Sequence, residues 1–115
     1  MVKLVACLRR RPGLSPEAFR RHWRETHGPL IRGIPELHAL IRRYVQGHPV
    51  GDPVPGDVTG QEPFDGVAEM WFDDLSSMAR AFSLPEYLAR VRPDEESFLD
   101  LPRCVAFVVE EHVVI

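Results

Sequence analysis

No apolar stretch of this 115-residue chain is long enough to cross a membrane or to form a signal-peptide core. Val2 to Leu8 runs directly into Arg9-Arg10-Arg11, and the expectation is a cytoplasmic chain without a membrane partner. Cysteine is scarce: Cys7 and Cys104 lie in separate apolar runs without CxxC spacing and read as buried, inert thiols. There is no excess of positive charge. Fourteen Lys and Arg against 17 Asp and Glu give a formal net charge of −3, which opposes a nucleic-acid footprint. Also missing are a GxGxxG turn after a strand, a phosphate loop, a GxSxG elbow and a cysteine placed beside a base. Five histidines are present, but His38 and His112 stand alone, and no metal set is expected.

What remains is an ordinary globular composition, 44% hydrophobic and 27% charged, in one domain spanning residues 1–115. Val2 to Arg10 reads as a strand ending at Pro12-Gly13. Ser15 caps a helix, Pro16 suits its first position and Glu17 places negative charge in the first turn. Phe19, Trp23 and Thr26 then recur on one stripe, with Arg20, Arg21, Arg24 and Glu25 opposite. Gly28-Pro29 is expected to end this helix. Ala39 to His48 alternates as a strand, and residues 49–63, dense in proline and glycine, form a long loop. Gly66 to Phe72 is a further strand. Leu75 to Val91 is a helix interrupted at Pro85, with Asp94 capping a last short turn. Cys104 to Ile115, rich in valine, closes the chain as a strand.

That order, strand-helix-strand-strand-helix-strand, is answered by an α+β, ferredoxin-like βαββαβ protomer: a four-stranded antiparallel sheet with both helices on one face. Val5, Cys7 and Val45 make the other face apolar as well. A second copy packing sheet to sheet is the simplest cover, so a homodimer is expected.

Candidate chemistry is confined to a few titratable side chains on apolar faces. His22 and His27, five apart, would lie about 140° around an α-helix from each other and cannot share one metal ion as an i, i+4 pair can. His27 either bonds the helix end or serves as a cavity acid or base; His22 reads as a packing or surface residue. Tyr44, Gln46 and His48 form one row on a strand. They suit orienting a carbonyl or phenolic substrate, with His48 moving protons and Tyr44 donating to an oxyanion, or they simply finish the strand. Glu69 sits among apolar neighbours and is either ion-paired, with Arg42 or Arg43, or a general acid or base of raised pKa. Phe19, Trp23, Trp71 and Phe72 line an aromatic pocket or fill plain core.

The strings FRRHWRETHGPLI (19–31), RYVQGHPV (43–50), DGVAEMWFDD (65–74), SLPEYLARVRPDEESFLD (83–100) and EEHVVI (110–115) resemble the EthD family of dimeric α/β-barrel proteins over nearly the whole chain. The resemblance implies a ferredoxin-like protomer, a homodimer through its sheet and a cavity for a small hydrophobic or aromatic molecule between sheet and helices. Relatives include cofactor-independent monooxygenases, polyketide cyclases and decarboxylases, and proteins with no known activity. The expectation is a cofactor-independent enzyme of oxidoreductase type acting on an aromatic or hydrophobic metabolite, with His27, His48, Tyr44 and Glu69 carrying protons. A cyclase or decarboxylase, a non-catalytic accessory binder and a purely structural dimer are the alternatives. No cofactor is expected, although related barrels house haem or flavin without a short motif and so leave both open.

Overall fold

The computed structural model describes residues 1–51 and 64–115; the proline- and glycine-rich segment expected over 49–63 lies, from residue 52 on, outside the described residues. Four strands, β1 (Val2–Leu8), β2 (Arg43–Gly47), β3 (Gly66–Phe72) and β4 (Val105–Val109), form one antiparallel sheet in the order β2-β3-β1-β4. Helices cover one face. The ferredoxin-like topology expected from the element order is therefore present.

The first helix begins as its sequence dictates. The Ser15 hydroxyl accepts the Ala18 N–H at 3.1 Å, Pro16 opens α1 (Pro16–His22), and Phe19 is fully buried. It does not stop at Gly28-Pro29. A single π-turn, Trp23–His27, follows α1, and α2 (Gly28–Arg32) continues from it with Gly28 in right-handed helical geometry (φ −57°, ψ −52°). Within the π-turn the Gly28 N–H donates to the carbonyl of Trp23, five residues back. Pro29 lacks an N–H, and the widened turn relieves the clash its ring would make with a tight α-helical carbonyl.

The second helical region repeats the device. After α4 (Leu75–Ser83), capped by Asp74, the helix breaks at Leu84 and restarts at Pro85, as expected. It then runs through a π-turn, Tyr87–Val91, into α5 (Arg92–Phe98), with the Arg92 N–H bonded to the carbonyl of Tyr87 just before Pro93. Asp94 is thus mid-helix, not a cap. Two further departures concern length: α3 (Pro35–Leu40) occupies the start of the segment read as strand, and β4 ends at Val109, before the valine-rich tail. Leu37, buried beneath α3, anchors it to the core, which outweighs the alternation in the following residues.

Strand alternation sorts the sheet into two faces. Leu4, Ala6 and Leu8 of β1, Tyr44 and Gln46 of β2, and Ala68, Met70 and Phe72 of β3 face the helices. Lys3, Val5 and Cys7, with Val67, Glu69 and Trp71, face away and are half-buried. Two hydrophobic clusters fill the helix side, one around Phe72, Ile34, Leu37 and Val91, the other around Phe19, Trp23 and Phe98; Tyr44 packs against both. Ala6 pairs with Ala68 on one side and Ala106 on the other, so a row of three alanines crosses three strands at the seam. Their small side chains leave space that larger residues would fill.

Candidate active-site cavity

Above the alanine row lies a cavity of about 320 Å³, walled by Trp23, His27, Tyr44, Tyr87, Glu95 and Phe98 among others. Three polar arrangements reach it, each held from a different element.

His27 comes from the first π-turn and is 3% exposed. Its Nδ1 lies 2.7 Å from one oxygen of Asp94 on α5, while the other oxygen of Asp94 lies 2.9 Å from Nε2 of His22. Five residues through a π-turn sweep a smaller angle than the 140° of an α-helix, because 4.4 rather than 3.6 residues make each turn, roughly. The expectation that His22 and His27 diverge is therefore corrected: both meet one carboxylate. With Nδ1–H donating to Asp94, the Nε2 lone pair of His27 is left without a hydrogen-bond partner among the described residues. Burial lowers the His27 pKa; Asp94 opposes that and His22 adds to it, and the net direction is down. The imidazole is neutral at neutral pH. Among the described residues no group of three His, Cys, Asp or Glu side chains is arranged to hold a metal ion.

Tyr44 comes from β2. Its oxygen accepts from Trp23 Nε1 at 3.2 Å and from Gln46 Nε2 at 3.5 Å. With both lone pairs occupied, the phenolic O–H is free to donate, and burial, the largest influence, raises its pKa and keeps it protonated. Gln46 also donates to the Trp23 carbonyl at 2.9 Å, so the π-turn is bonded directly to β2. Gly28 eases that approach, since a Cβ there would lie 3.0 Å from Gln46 Nε2.

Glu95 and Tyr87 come from the second helical region. The Tyr87 hydroxyl donates to Glu95 Oε1 at 2.8 Å, and Arg92 Nη1 lies 3.5 Å from the same oxygen. Burial pushes Glu95 above the usual carboxylate range, with Tyr87 and Arg92 opposing it. Tyr87 is raised as well, by burial first and the nearby carboxylate second.

The residues singled out in the sequence divide accordingly. His27, Tyr44 and Trp23 line the cavity, and Phe19 stands behind Trp23 and Phe98 with ring centroids 5.7 and 5.5 Å away. His48 shares the row of Tyr44 and Gln46 but does not reach the cavity. It stacks on the outer side of Trp23 at 4.6 Å and bonds Gln46 Oε1 at 2.9 Å. Its pKa is lowered by desolvation first and then by Arg24 and Arg20. Phe72 is core, packed on Phe82. Glu69 and Trp71 belong to the opposite face of the sheet, where Glu69 pairs with Lys3 at 3.4 Å, not with Arg42 or Arg43. Arg42 instead holds Asp73, and Arg43 lies over the Trp71 ring. Asp94, Glu95 and Tyr87 went unrecognised. Their signal was Tyr87, Val91, Glu95 and Phe98 at spacings of four, four and three, one helical stripe hidden by ending the helix before Pro93.

The comparisons with known proteins agree with this architecture. A solved structure of an EthD family protein from Bacillus halodurans is 31% identical, covers 97% of this chain and 99% of its own, and superposes with a TM-score of 0.70. A dimeric ferredoxin-like protein of unknown function from Bacteroides fragilis superposes with a TM-score of 0.64 at 17% identity over 96% of this chain and 95% of its own. In sequence, the chain is 28% identical over 101 residues to the conidial pigment biosynthesis dehydratase EthD of Metarhizium robertsii, covering 82% of this chain and 70% of that protein. It is 24% identical over 110 residues to the dehydratase aurZ of Gibberella zeae, covering 90% and 72%. The family model described as the EthD domain matches residues 11–102, which include every residue of the cavity wall named above, and the chain belongs to the EthD domain family.

Proposed function

We propose that this protein is a cofactor-independent enzyme that eliminates water from a hydroxylated, polyketide-like or aromatic ketone by proton transfer in the cavity between helices and sheet. The observation that carries the reading is the His27–Asp94 pair: a buried neutral imidazole, oriented by a carboxylate, with one ring nitrogen left over beside an aromatic-walled space. The dehydratase names of two relatives support elimination ahead of the oxygenation expected from sequence.

In the reaction, His27 Nε2 takes the proton from the carbon beside the substrate carbonyl, and the electron pair moves into an enolate. Tyr44 donates its O–H to that oxygen as charge develops. Collapse of the enolate forms the carbon–carbon double bond and expels the neighbouring hydroxyl, which leaves as water with the proton of Glu95. Proton exchange with solvent then resets His27 and Glu95. Asp94 stabilises the transient imidazolium. Tyr44, Trp23 and Phe98 hold the ring system, and His48, outside the cavity, steadies Gln46.

The working molecule is a homodimer through the helix-free face of the sheet, where Val5, Val45, Val67, Trp71 and Phe107 are half-buried or exposed apolar side chains. Incubating the purified protein with β-hydroxy ketones of one to three fused rings and following products by mass spectrometry tests the activity. Loss of one water, abolished in His27→Gln, is the expected result; unchanged substrate across the panel, with saturable binding, would instead establish an accessory binder.

A further inference from the structure

The inner cavity is not the only hollow among the described residues. An open groove of about 530 Å³ runs between α2 and the edge strand β2, and Tyr44 is the one residue common to its lining and that of the inner cavity. Its floor is apolar, formed by Pro29, Ile31 and Ile41, and its rim carries Arg24, Arg32, Arg42, Arg43 and His38. Among the described residues no acidic side chain lines it, although the chain as a whole is acidic with a net charge of −3. Arg42 is satisfied by Asp73 and Arg43 rests on Trp71. Arg24 and Arg32 are exposed and have no hydrogen-bond or ion-pair partner among the described residues. Eight residues of helix set them about 12 Å apart along the groove.

We infer that this groove is the anionic end of the substrate site: it receives a carboxylate on the substrate, bound through Arg24 or Arg32, while the reacting ring system passes Tyr44 into the inner cavity. This rests on the elimination reading given above. Guanidinium groups that lack internal partners present a paired donor edge that matches a carboxylate, and an acid-free rim raises the local concentration of anions around it. An apolar floor suits the hydrocarbon segment linking carboxylate to ring. Tyr44 then stands at the waist of the substrate, where its free O–H meets the carbonyl. Polyketide-like acids have this form, with a carboxyl at one end of a chain of oxygenated carbons.

Isothermal titration with 4-(2-naphthyl)-4-oxobutanoate and its methyl ester provides the test, on wild type, Arg24→Gln, Arg32→Gln, the double variant and Ala6→Leu. Both arginines are exposed, so folding of their variants is expected to be intact and is checked by circular dichroism. The acid should bind wild type at least 10-fold tighter than the ester, and the double variant should erase that difference while leaving ester affinity unchanged. High salt should narrow the gap in wild type. Ala6→Leu, which fills the inner cavity, should weaken acid and ester alike. Equal binding of acid and ester to wild type, or an acid affinity untouched by both arginine changes, overturns the inference; if His27-dependent loss of water persists in that case, only the groove assignment falls. Failure of both probes to bind overturns the groove assignment, and His27-dependent loss of water in the ketone panel then decides the elimination reading separately.

Discussion

The imidazole of His27 shares the Asp94 carboxylate with His22 but is set apart by its burial, and its titration carries consequences for rate and stability. Its lowered folded-state pKa means that the unfolded chain binds the proton more readily. Stability is therefore lost as pH falls from about 6.5, the ordinary histidine value, through the folded value. Glu95 acts with the opposite sign: its raised folded-state pKa contributes stability below the ordinary carboxylate value that is lost as pH rises through the folded value. Glu95→Gln removes that opposing slope, so urea denaturation as pH rises from the ordinary carboxylate value should show stability rising more steeply with pH in the variant than in wild type; an unchanged slope would contradict the assignment. For activity, neutral His27 should sustain turnover down to pH values below the ordinary histidine range. His27→Gln is expected to reduce turnover by about 10² or more, whereas His48→Ala, acting through Gln46 and the Trp23 ring from outside the cavity, should cost far less. The row of Tyr44, Gln46 and His48 was legible in the sequence; which of its members reached the cavity was not, because that depended on Trp23 lying between His48 and the interior.

At the scale of elements, the two π-turns determine how the site is assembled. Each precedes a proline, at Pro29 and Pro93, and together they turn His22 and His27 toward Asp94. Helix capping at Ser15, the break at Pro85 and the alternation of β3 were readable because local spacing dictates them. The continuations past Pro29 and Pro93 were not, since proline and glycine end most helices and only tertiary packing reveals that a widened turn accommodates them here. The contact of Trp23 with the sheet gives a test at this scale. A Cβ on Gly66 would lie 2.4 Å from Cζ3 of Trp23, so β3 admits the indole only because residue 66 lacks a side chain. Gly66→Ala should cost about 1–3 kcal/mol in denaturant unfolding, in the range of overpacked cores, and should displace the indole that bonds Tyr44. No loss of stability would show that Trp23 is free to move away. Ala6→Leu tests the alanine row in the opposite sense: ligand affinity falls although the added side chain enters existing space.

The whole molecule is a ferredoxin-like sheet with the proposed site on its helical face and an apolar surface on the other. The element order was sufficient to predict the topology, and the apolar residues on both sheet faces are the ground for proposing a partner on the uncovered one. Light scattering at micromolar concentration should give twice the protomer mass, and Phe107→Glu, on an exposed position of that face, should shift the mass to that of the protomer. The central claim is narrower and lies with one nitrogen atom. Long-range ¹H–¹⁵N correlation spectra of the histidine rings, recorded across pH 5 to 8, report tautomer and charge for each imidazole. The account predicts His27 neutral at pH 7, protonated on Nδ1 with Nε2 bare, a pKa below the ordinary histidine value, and a shift of Nε2 when an aromatic ketone enters the cavity. A His27 that is charged at pH 7, or that carries its proton on Nε2, would contradict it.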